Sequence, residues 1–469
     1  MKFGGTSLGS SESIKRVNEI VKEYLSGDGN EAVVVCSASG DTTDKLLSLV
    51  ERAKKGRSEE VEELLNGLEN HHTSLLDAIG DMRIREEVSE ELRQQFRELR
   101  RLLLGITYLR EATPRTVDYV LSFGERFSTG IVSGALASQG IKTKYLEGGE
   151  AGIVTDSNFG EATPLMEVTR FEVRRKIGKL LEEGYTPVVT GFIASNEEGV
   201  TTTLGRGGSD YTATILAYCI EADEVILWSD VDGLMTANPK IVKNARVLER
   251  ISYDEAIEMA LFGAKGLHPR ALEPAMKAKI PVRIKNTFNP SAGGTLITEK
   301  AAKEGRAVKA VLIVNETAMI TVRGPSMVGK PGTAAKILDT LFKAGINVMM
   351  ISQSVSESSI SLILRRKYLH KAVSALEGSL LGTGVVDKIE EEDDISVVAV
   401  VGEEMKGTPG VASRVFGAVA ARGINIRMIA QGSSELNISF AVKEKDGVEA
   451  VKAIHEEYNL GEKPKAFST

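Results

Sequence analysis

The last third of the chain repeats itself at a fixed spacing. Residues 324–361 recur without a gap at 402–439, an offset of 78 positions (Gly324 to Gly402, Ser361 to Ser439). A gap-free repeat of this length predicts two homologous small domains. Each copy follows the order strand, loop with glycine and proline, helix, Gly-Ile-Asn turn and two further strands, which predicts an α+β fold of the βαββαβ type with an antiparallel sheet.

A nucleotide-loop pattern inside the first repeat is better explained as a turn. Gly324 to Lys330 fits the start of a P-loop, but Pro331 stands where a Mg²⁺-binding Ser or Thr would be. The second copy keeps the glycines and the proline and has Thr408 in place of the lysine. A loop that enters a helix with proline near its first position accounts for both copies.

The first 296 residues alternate between strand and helix patterns. Buried-strand patterns cover 32–36, 186–191, 224–228 and 280–285, and helical patterns between them include 170–183 and 210–220. This alternation predicts a mostly parallel α/β sheet. One stretch, about 44–108, is long, charged and helical, with an apolar stripe made of Val88, Leu92, Phe96, Leu99 and Leu103. We expect it to be a helical insertion that packs on the sheet domain as a hairpin.

Composition excludes several classes of protein. The net charge of −7 argues against nucleic-acid binding, and no apolar run reaches the roughly 20 residues that cross a bilayer. The start of the chain lacks the apolar segment of a secretory signal, so we expect a cytoplasmic protein. The two cysteines lie in apolar runs, and the five histidines have no metal-ligand spacing, so we expect no metal ligands among them. His71 and His72 fall in a polar helical stretch, which predicts that they are solvated.

The segment Lys2-Phe3-Gly4-Gly5-Thr6-Ser7 precedes a predicted helix start at Ser10 or Ser11. Paired glycines let the backbone approach a ligand closely, and a lysine beside a helix N-terminus favours an anion. The segment is therefore a candidate phosphate site. A tight turn with a solvated lysine is the alternative.

The second candidate is the segment 203–211, Thr-Leu-Gly-Arg-Gly-Gly-Ser-Asp-Tyr, at the start of another predicted helix. Arg206, flanked by glycines, suits a carboxylate or phosphate bidentately. Asp210 could bind an ammonium group or cap the helix. A capped turn with Arg206 in solvent is the alternative, and it leaves the glycine density unexplained.

Three further motifs are weaker on their own. Residues 123–126, Phe-Gly-Glu-Arg, place a carboxylate beside a glycine in a helical run. Residues 228–233, Trp-Ser-Asp-Val-Asp-Gly, leave a strand and are followed by Asn-Pro-Lys at 238–240, as in an adenine–ribose loop or an ordinary surface loop. Residues 263–269, Gly-Ala-Lys-Gly-Leu-His-Pro, offer a lysine beside small residues.

Taken together, these motifs and the tandem repeat resemble aspartate kinases of the amino acid kinase superfamily, over nearly the whole chain. The resemblance implies a three-layer sandwich with a mostly parallel sheet, at 1–298, followed by two ferredoxin-like ACT modules at 308–385 and 393–469. It implies transfer of the γ-phosphoryl group of ATP, with Mg²⁺ bound mainly through ATP oxygens, to the β-carboxylate of L-aspartate. The product would be 4-phospho-L-aspartate, in the first step of lysine, threonine and methionine biosynthesis.

The resemblance also implies roles for particular residues. The catalytic residues would be Lys2 and Asp210. The ATP-binding residues would be Lys2, Gly4, Gly5, Ser7, Ser229, Asp230, Met235, Lys240 and Lys265. The substrate-binding residues would be Thr43, Glu125, Arg206, Ser209 and Asp210. The family usually has tyrosine, aspartate and arginine where Met235, Asn238 and Lys240 stand here, and valine in place of Gly266, which puts the adenine–ribose contacts in question.

ACT modules imply feedback by an amino acid. Gln353 and Gln431 begin matched loops, as in threonine-inhibited relatives, and Asn347 and Asn425 begin the facing strands, so we expect L-threonine rather than L-lysine as effector. ACT sheets usually pair between chains, which implies a homodimer or homotetramer.

Two alternatives stay open: a non-catalytic amino-acid sensor, and a kinase for glutamate or acetylglutamate. Because the chain ends after the second module, we expect no fused homoserine dehydrogenase. Because only Met1 precedes Lys2, we expect either a short central strand or a start further upstream.

Overall fold

The computed structural model describes residues 1–264, 267–301, 305–382 and 384–463. The chain divides into two compact units. The first comprises Met1–Leu234, Glu249–Tyr253 and Lys265–Lys300, and the second comprises Met235–Leu248, Asp254–Ala264 and Ala301–Thr469. Each unit has its own sheets.

The first unit is built on an eight-stranded sheet with the order β3-β5-β2-β1-β8-β10-β11-β9. A second sheet has the order β4-β6-β7. Their strands are β1 Lys2–Phe3, β2 Val34–Cys36, β3 Thr143–Leu146, β4 Val154–Thr155, β5 Thr186–Thr190, β6 Ile193–Asn196, β7 Thr201–Thr203, β8 Val225–Ser229, β9 Arg250–Ser252, β10 Val282–Asn286 and β11 Thr295–Thr298.

The large sheet is mostly parallel, as the alternating pattern predicts. Strand β1 lies between β2 and β8 and runs parallel to both, with Lys2 opposite Val35 and Leu227. Strands β10 and β11 form an antiparallel pair within this sheet. Strands β2 and β5 are buried on both faces, which explains why they appear in the sequence as continuous apolar runs. The carboxyl ends of β1, β2, β5 and β8 meet at one edge of the sheet.

The helices of this unit flank the sheet. They are α1 Ser11–Leu25, α2 Thr42–Lys54, α3 Ser58–Leu75, α4 Met82–Leu109, α5 Pro114–Ala137, α6 Met166–Val173, α7 Lys179–Glu182, α8 Gly208–Ile220 and α10 Glu273–Ala278, while α9 Tyr253–Leu261 lies mostly in the second unit. Helix α1 begins where the sequence predicts, because the Ser10 hydroxyl accepts the Ser13 N–H at 3.1 Å. Within the described ranges, we find no helix whose length and apolar character would let it span a bilayer.

The helical insertion consists of three helices, α2 to α4, so the predicted hairpin is wrong. The predicted stripe on α4 packs into one core with α1, α2, α3 and α5, and Phe96 stacks on Phe127 with ring centroids 4.2 Å apart. The prediction that His72 is solvated is also wrong. This side chain is fully buried, its Nδ1–H donates to the Leu68 carbonyl at 2.9 Å, and burial lowers its pKa to about 4.

The second unit contains the repeat. Its strands are β12 Ala310–Arg323, β13 Met350–Gln353, β14 Ser359–Arg365, β15 Lys388–Val401, β16 Met428–Ala430 and β17 Asn437–Lys443, and its helices are α11 Thr333–Lys343, α12 Leu369–Leu380, α13 Val411–Ala421 and α14 Glu444–Glu457. They form a sheet with the order β13-β14-β12-β15-β17-β16, in which every described pair is antiparallel. The predicted α+β modules are confirmed.

The two modules share the long strands β12 and β15. The second half of β12 pairs with β14, whereas its first half pairs with the second half of β15, with Ala310 opposite Val401. The strand that would follow α14 in the second copy is therefore supplied by the segment that precedes the first copy. Val308 and Val311 accordingly lie in the core of the second module with Phe440.

Candidate active site

A cleft at the carboxyl edge of the large sheet gathers most of the predicted substrate residues. Its volume is about 770 Å³. It is lined by residues from the ends of β1, β2 and β7 and from helices α2, α5 and α8, among which are Lys2, Gly5, Thr43, Glu125, Arg206, Ser209 and Asp210. These residues are up to 208 positions apart in the sequence (Lys2 to Asp210), and parallel strands that end at one edge bring them together.

An ion pair lies in this cleft. The Lys2 Nζ is 2.6 Å from the Asp210 Oδ1, and each side chain is 12% exposed. Asp210 stands in the first turn of α8, where the helix dipole favours a negative charge. The pair therefore presents a fixed ammonium group at the cleft, held in place by a carboxylate.

Glu125 is a buried carboxyl beside the loop that follows β2. Its Oε1 accepts the Ala38 N–H at 3.1 Å, and its Oε2 is buried with no hydrogen-bond partner among the described residues. The close approach depends on Gly124, since a Cβ at this position would lie 2.9 Å from the Cβ of Ala38. Burial raises the pKa of Glu125 to about 8, against the opposing effects of the Ala38 N–H and the Lys2 charge. An incoming ammonium group would favour its ionised form.

Arg206 is carried by a turn between β7 and α8. Gly205 and Gly207 on either side both have φ of 74°, in the left-handed region where glycine is favoured. The Arg206 side chain is exposed at the cleft, which suits an anion-binding group. His268 packs directly behind Gly207, where a Cβ would lie 2.3 Å from the His268 Cβ. Burial, and then the Arg206 charge, lower the pKa of His268.

The glycine-rich loop after β1 packs more tightly than the sequence indicates. The Gly4 N–H donates to the Trp228 carbonyl at 3.1 Å, so the sheet already engages this predicted phosphate donor. A Cβ on Gly5 would lie 2.9 Å from both the Ala38 and Gly40 carbonyl oxygens. The Ser7 hydroxyl is fully buried and shares a 2.7 Å hydrogen bond with Thr287. The Gly4 N–H and the Ser7 hydroxyl thus hold the loop in place through hydrogen bonds within the protein.

The predicted nucleotide-side residues belong to both units. Ser229 ends β8 beside β1, and Asp230 follows it with an exposed side chain. Met235 and Lys240 belong to the second unit. Lys265 lies outside the described residues. The proposed roles of these residues in ATP binding remain predictions.

Among the cleft residues that were not predicted from the sequence, two have unusual properties, Asp118 and Phe192. Asp118 lies on α5, seven residues before Glu125 and hence on the same helix face, and is 1% exposed. An acid placed seven positions before Glu125, and so on the same helix face, was the available signal. Phe192 has φ of 63°, which is rare for a bulky residue and is common at functional sites. No sequence pattern reveals that backbone angle.

The helical insertion contributes His71 to a loop of the site. The Ser39 hydroxyl donates to the Leu8 carbonyl at 2.8 Å, so its single hydrogen is used. The His71 Nε2, 2.9 Å from the Ser39 Oγ, therefore donates to it. Ser39 lies between Ala38 and Gly40, both of which line the cleft. The prediction that His71 is solvated is therefore wrong as well.

The first repeat module contains a smaller cavity of about 300 Å³. It is lined by the loop 327–334 together with Gln353, Glu357 and Ile360. The Glu357 Oε2 accepts the Gly329 N–H at 2.8 Å, and the matched Glu435 accepts the Gly407 N–H at 2.7 Å in the second module.

The other predicted effector residues are exposed. The prediction that Asn347 and Asn425 begin the facing strands is wrong, since both lie in the loops before β13 and β16, and Gln431 directly follows β16. Their roles stay predictions.

Comparisons with known proteins agree with this architecture. The model of the amino acid kinase family matches residues 1–286, and the ACT domain model matches 320–380 and 398–458. Fold and site thus define an amino acid kinase domain joined to two ACT modules. Aspartokinase 1 of Arabidopsis thaliana, a chloroplastic protein, is 33% identical over 468 residues, which cover 98% of this chain and 79% of that protein.

Two further comparisons bear on the chain's extent and fold. The bifunctional aspartokinase/homoserine dehydrogenase 1 of Zea mays, also chloroplastic, is 35% identical over 466 residues, but the chain spans only 50% of its length. The crystal structure of E. coli aspartokinase III with aspartate and ADP superposes with a TM-score of 0.82 and 30% identity, over 97% of this chain and 98% of that one. The chain belongs to the aspartokinase family.

Proposed function

We propose that this chain is an aspartate kinase, which transfers the γ-phosphoryl group of ATP to the β-carboxylate of L-aspartate and forms 4-phospho-L-aspartate. The observation that carries the proposal is the cleft in which Lys2, Asp210, Glu125 and Arg206 converge. Two cationic and two acidic side chains in one cleft suit a substrate with one ammonium group and two carboxylates, together with a phosphoryl donor.

The reaction needs charge positioning more than proton transfer. The acceptor is a carboxylate with an unperturbed pKa of about 3.9, so it is ionised at neutral pH and needs no general base. The barrier lies in bringing two anions together, which fixed cations lower. This requirement fits a site whose preorganised feature is the ion pair of Lys2 and Asp210 at 2.6 Å.

The predicted substrate residues and Lys2 then divide the binding tasks. The Lys2 ammonium group faces the transferring phosphoryl group, and Arg206 binds the α-carboxylate of aspartate bidentately. Glu125 and Asp210 accept hydrogen bonds from the substrate ammonium group. The hydroxyls of Thr43 and Ser209 complete the pocket that aligns the β-carboxylate for in-line attack.

Mg²⁺ would arrive with ATP. Within the described ranges, no three His, Cys, Asp or Glu side chains are grouped so as to enclose a cation. Magnesium usually keeps several waters and takes one or two carboxylates plus substrate phosphates. Asp230, exposed at the end of β8, is the carboxylate that fits this mode. The ion would neutralise charge on the phosphates.

The test is ADP release with L-aspartate, with L-glutamate and without an acceptor, combined with hydroxylamine trapping of the acyl phosphate. We expect turnover with aspartate and formation of its hydroxamate. The R206K variant keeps the charge but loses the bidentate fork, so its KM for aspartate should rise by roughly tenfold or more. R175A, which removes an exposed arginine beside Glu172, is the control. Turnover with glutamate alone, or without any acceptor, would reject the proposal.

The cavity of the first ACT module is the proposed effector site, with L-threonine as the preferred ligand. Its polar lining includes Lys330, Gln353 and Glu357. Lys330 repels a second ammonium group, and one oxygen of Glu357 is already engaged by Gly329. Both features favour a short hydroxylated side chain over lysine. The E. coli relative has been solved with lysine and aspartate, which makes lysine the rival to test.

Effector choice is tested by inhibition of aspartate-dependent turnover with each amino acid. We expect threonine to inhibit and Gln353→Ala to weaken that inhibition, with Gln431→Ala as the matched variant in the second module. Inhibition by lysine alone would reject the threonine assignment.

We also propose that the chain forms a homodimer or homotetramer through its ACT modules, and that it acts in the cytoplasm. Strand β13 is a sheet edge whose Ile351 is 47% exposed, and Val355 in the following loop is fully exposed. An apolar sheet edge of this kind favours pairing with another chain. Sedimentation velocity of the wild type and of Ile351→Lys would test the assembly, and a monomeric wild type would reject it.

A further inference from the structure

Asp118 occupies a part of the cleft to which the reaction assigns no role. It lies on α5 with 1% exposure. None of its described hydrogen bonds joins it to a group that is proposed to bind phosphate or ammonium. A buried carboxylate is costly unless its oxygens are well bonded. Its bonding partners therefore indicate what it does.

Three donors from two chain segments converge on this carboxylate. Its Oδ2 accepts the Gly160 N–H at 3.0 Å and the Thr203 N–H at 2.9 Å. Its Oδ1 accepts the Thr203 hydroxyl at 2.9 Å. Asp118 thus joins the loop at Gly160 to the last residue of β7, immediately before the turn that carries Arg206.

The turn itself has little rigidity. Arg206 lies between two glycines in the left-handed region, and glycine restricts the backbone less than any other residue. The position of the guanidinium group must therefore be imposed by what the turn rests on. On one side, Gly205 packs against the Gly160 carbonyl, where a Cβ would lie 3.3 Å from the oxygen.

The other side of the turn rests on Phe192. The Leu204 N–H donates to the Phe192 carbonyl at 2.9 Å, and a Cβ on Gly208 would lie 2.7 Å from the Phe192 ring. The Arg206 turn is therefore held between Phe192 and the Gly160 loop. Asp118 fixes this loop and β7 to each other, beside the direct hydrogen bond from the Ala162 N–H to the Thr203 carbonyl at 2.9 Å.

We propose that Asp118 is a positioning residue for the acceptor amino acid. It sets where Arg206 stands relative to the ion pair of Lys2 and Asp210, and so sets the length of acceptor that fits between them. The inference rests on the proposed function, in which Arg206 holds the α-carboxylate and Lys2 faces the phosphoryl group. It predicts that Asp118 governs discrimination between aspartate and the longer glutamate without touching either.

The test compares Asp118→Asn with two changes at its partner, Thr203→Val and Thr203→Ser. Asparagine keeps the shape of the aspartate side chain, but its amide NH₂ group places a donor against the backbone N–H donors that Asp118 accepts. We expect D118N to raise the KM for aspartate roughly tenfold or more and to lower the aspartate-over-glutamate ratio of kcat/KM, because ångström-scale misplacement costs up to about 100-fold. The KM for ATP should change by less than about twofold, since no ATP contact passes through Asp118.

The partner variants and a control separate positioning from folding. T203V loses only the hydroxyl donor and should show the same pattern more weakly, whereas T203S keeps the donor and should behave like the wild type. Asp81→Asn removes an acid that accepts two backbone N–H groups at the start of α4, outside the cleft lining, and should leave both KM values unchanged. If D118N does not fold, the comparison of T203V with T203S is the test instead.

The outcomes also distinguish this inference from the proposed function. Absence of aspartate-dependent turnover by the wild type would reject the function. In that case, calorimetric binding of L-aspartate and L-glutamate to wild type and T203V still tests the positioning role. The inference would be overturned if the KM for ATP rose as much as the KM for aspartate. It would also be overturned if the aspartate-over-glutamate ratio of kcat/KM were unchanged in both D118N and T203V.

Discussion

Replacing Glu125 by glutamine should stabilise the first unit while it impairs the site. Glu125 is 3% exposed, and burial raises its pKa to about 8 from an ordinary 4.5. Glutamine keeps an oxygen to accept the Ala38 N–H and cannot ionise. The folded wild type must either hold a proton on this carboxyl group or keep a poorly partnered charge, and the variant avoids both.

The size of the effect follows from the pKa displacement. Because the pKa is raised by folding, the favourable contribution of the protonated group is complete below pH 4.5 and is lost as the pH rises toward 8. Each pH unit in this window corresponds to about 1.4 kcal/mol. The stability of E125Q relative to the wild type should therefore increase by about 3 kcal/mol between pH 4.5 and pH 7, and should level off above about pH 8.

The assay can be confined to the unit that contains Glu125. Trp228 is the single tryptophan of the chain, and it is buried on β8 in the first unit. Its fluorescence should report the urea unfolding of that unit at pH 5, 6, 7 and 8. The exposed Glu19 on α1 provides the control, since E19Q should change the stability of this unit by less than about 0.5 kcal/mol.

The same substitution should weaken aspartate binding, although it raises the stability of the unit. The KM of E125Q for aspartate should rise by roughly 10- to 100-fold, since a charged hydrogen bond to the substrate ammonium group is lost. A stability difference that does not vary with pH, or that falls as the pH rises, would refute the assigned protonation of Glu125. An unchanged KM would refute its role in binding.

Three further predictions follow from buried contacts. His71→Ala should lower kcat/KM for aspartate by about tenfold through loss of the donor to Ser39, and His71→Gln should restore part of it, because its amide can donate. Lys309→Met should destabilise the second unit by about 3–5 kcal/mol in calorimetry, since it leaves the fully buried Glu255, 3.1 Å away, without that partner charge. Phe96→Ala should cost about 3–5 kcal/mol in the Trp228 unfolding transition, because a fully buried ring is removed.

Matched variants provide the controls. The double variant with Lys309→Met and Glu255→Gln should recover much of the stability, since both charges of the buried pair are then removed. Leu104→Ala, at a side chain 50% exposed on the same helix as Phe96, should change stability by less than about 0.5 kcal/mol. Equal losses for Phe96 and Leu104, or a His71→Gln variant no better than His71→Ala, would contradict the contacts on which these predictions rest.

Regular elements were predictable where one local rule dominates. The strand expected at 224–228 is Val225–Ser229, and the helix expected at 210–220 is Gly208–Ile220, because both are marked by continuous burial and by turn residues at their ends. The three helices of the insertion were not separated in the sequence. Their connections carry no proline, and the glycine in each of them, Gly56 and Gly80, was not used as a break.

Groups that bond across long sequence separations were beyond prediction. Ser7 is engaged by Thr287, 280 residues away, and Asp118 by Thr203, 85 residues away. The repeat indicates two equal modules, yet the second takes a strand from the start of β12. Sequence periodicity indicates local burial, but it does not indicate which distant segment pairs with the free sheet edge of the second module.

The sequence by itself determined the class of fold, the two repeated modules and the residue types of the cleft, because glycine turns, helix starts and apolar strands follow from local sterics and burial. Only the tertiary structure decided which of those residues face one another. It pairs Lys2 with Asp210 at 2.6 Å, buries Glu125 so that its pKa rises to about 8, and engages Gly4 and Ser7 within the protein. Ion pairing and desolvation depend on distances between segments, which local sequence patterns do not contain.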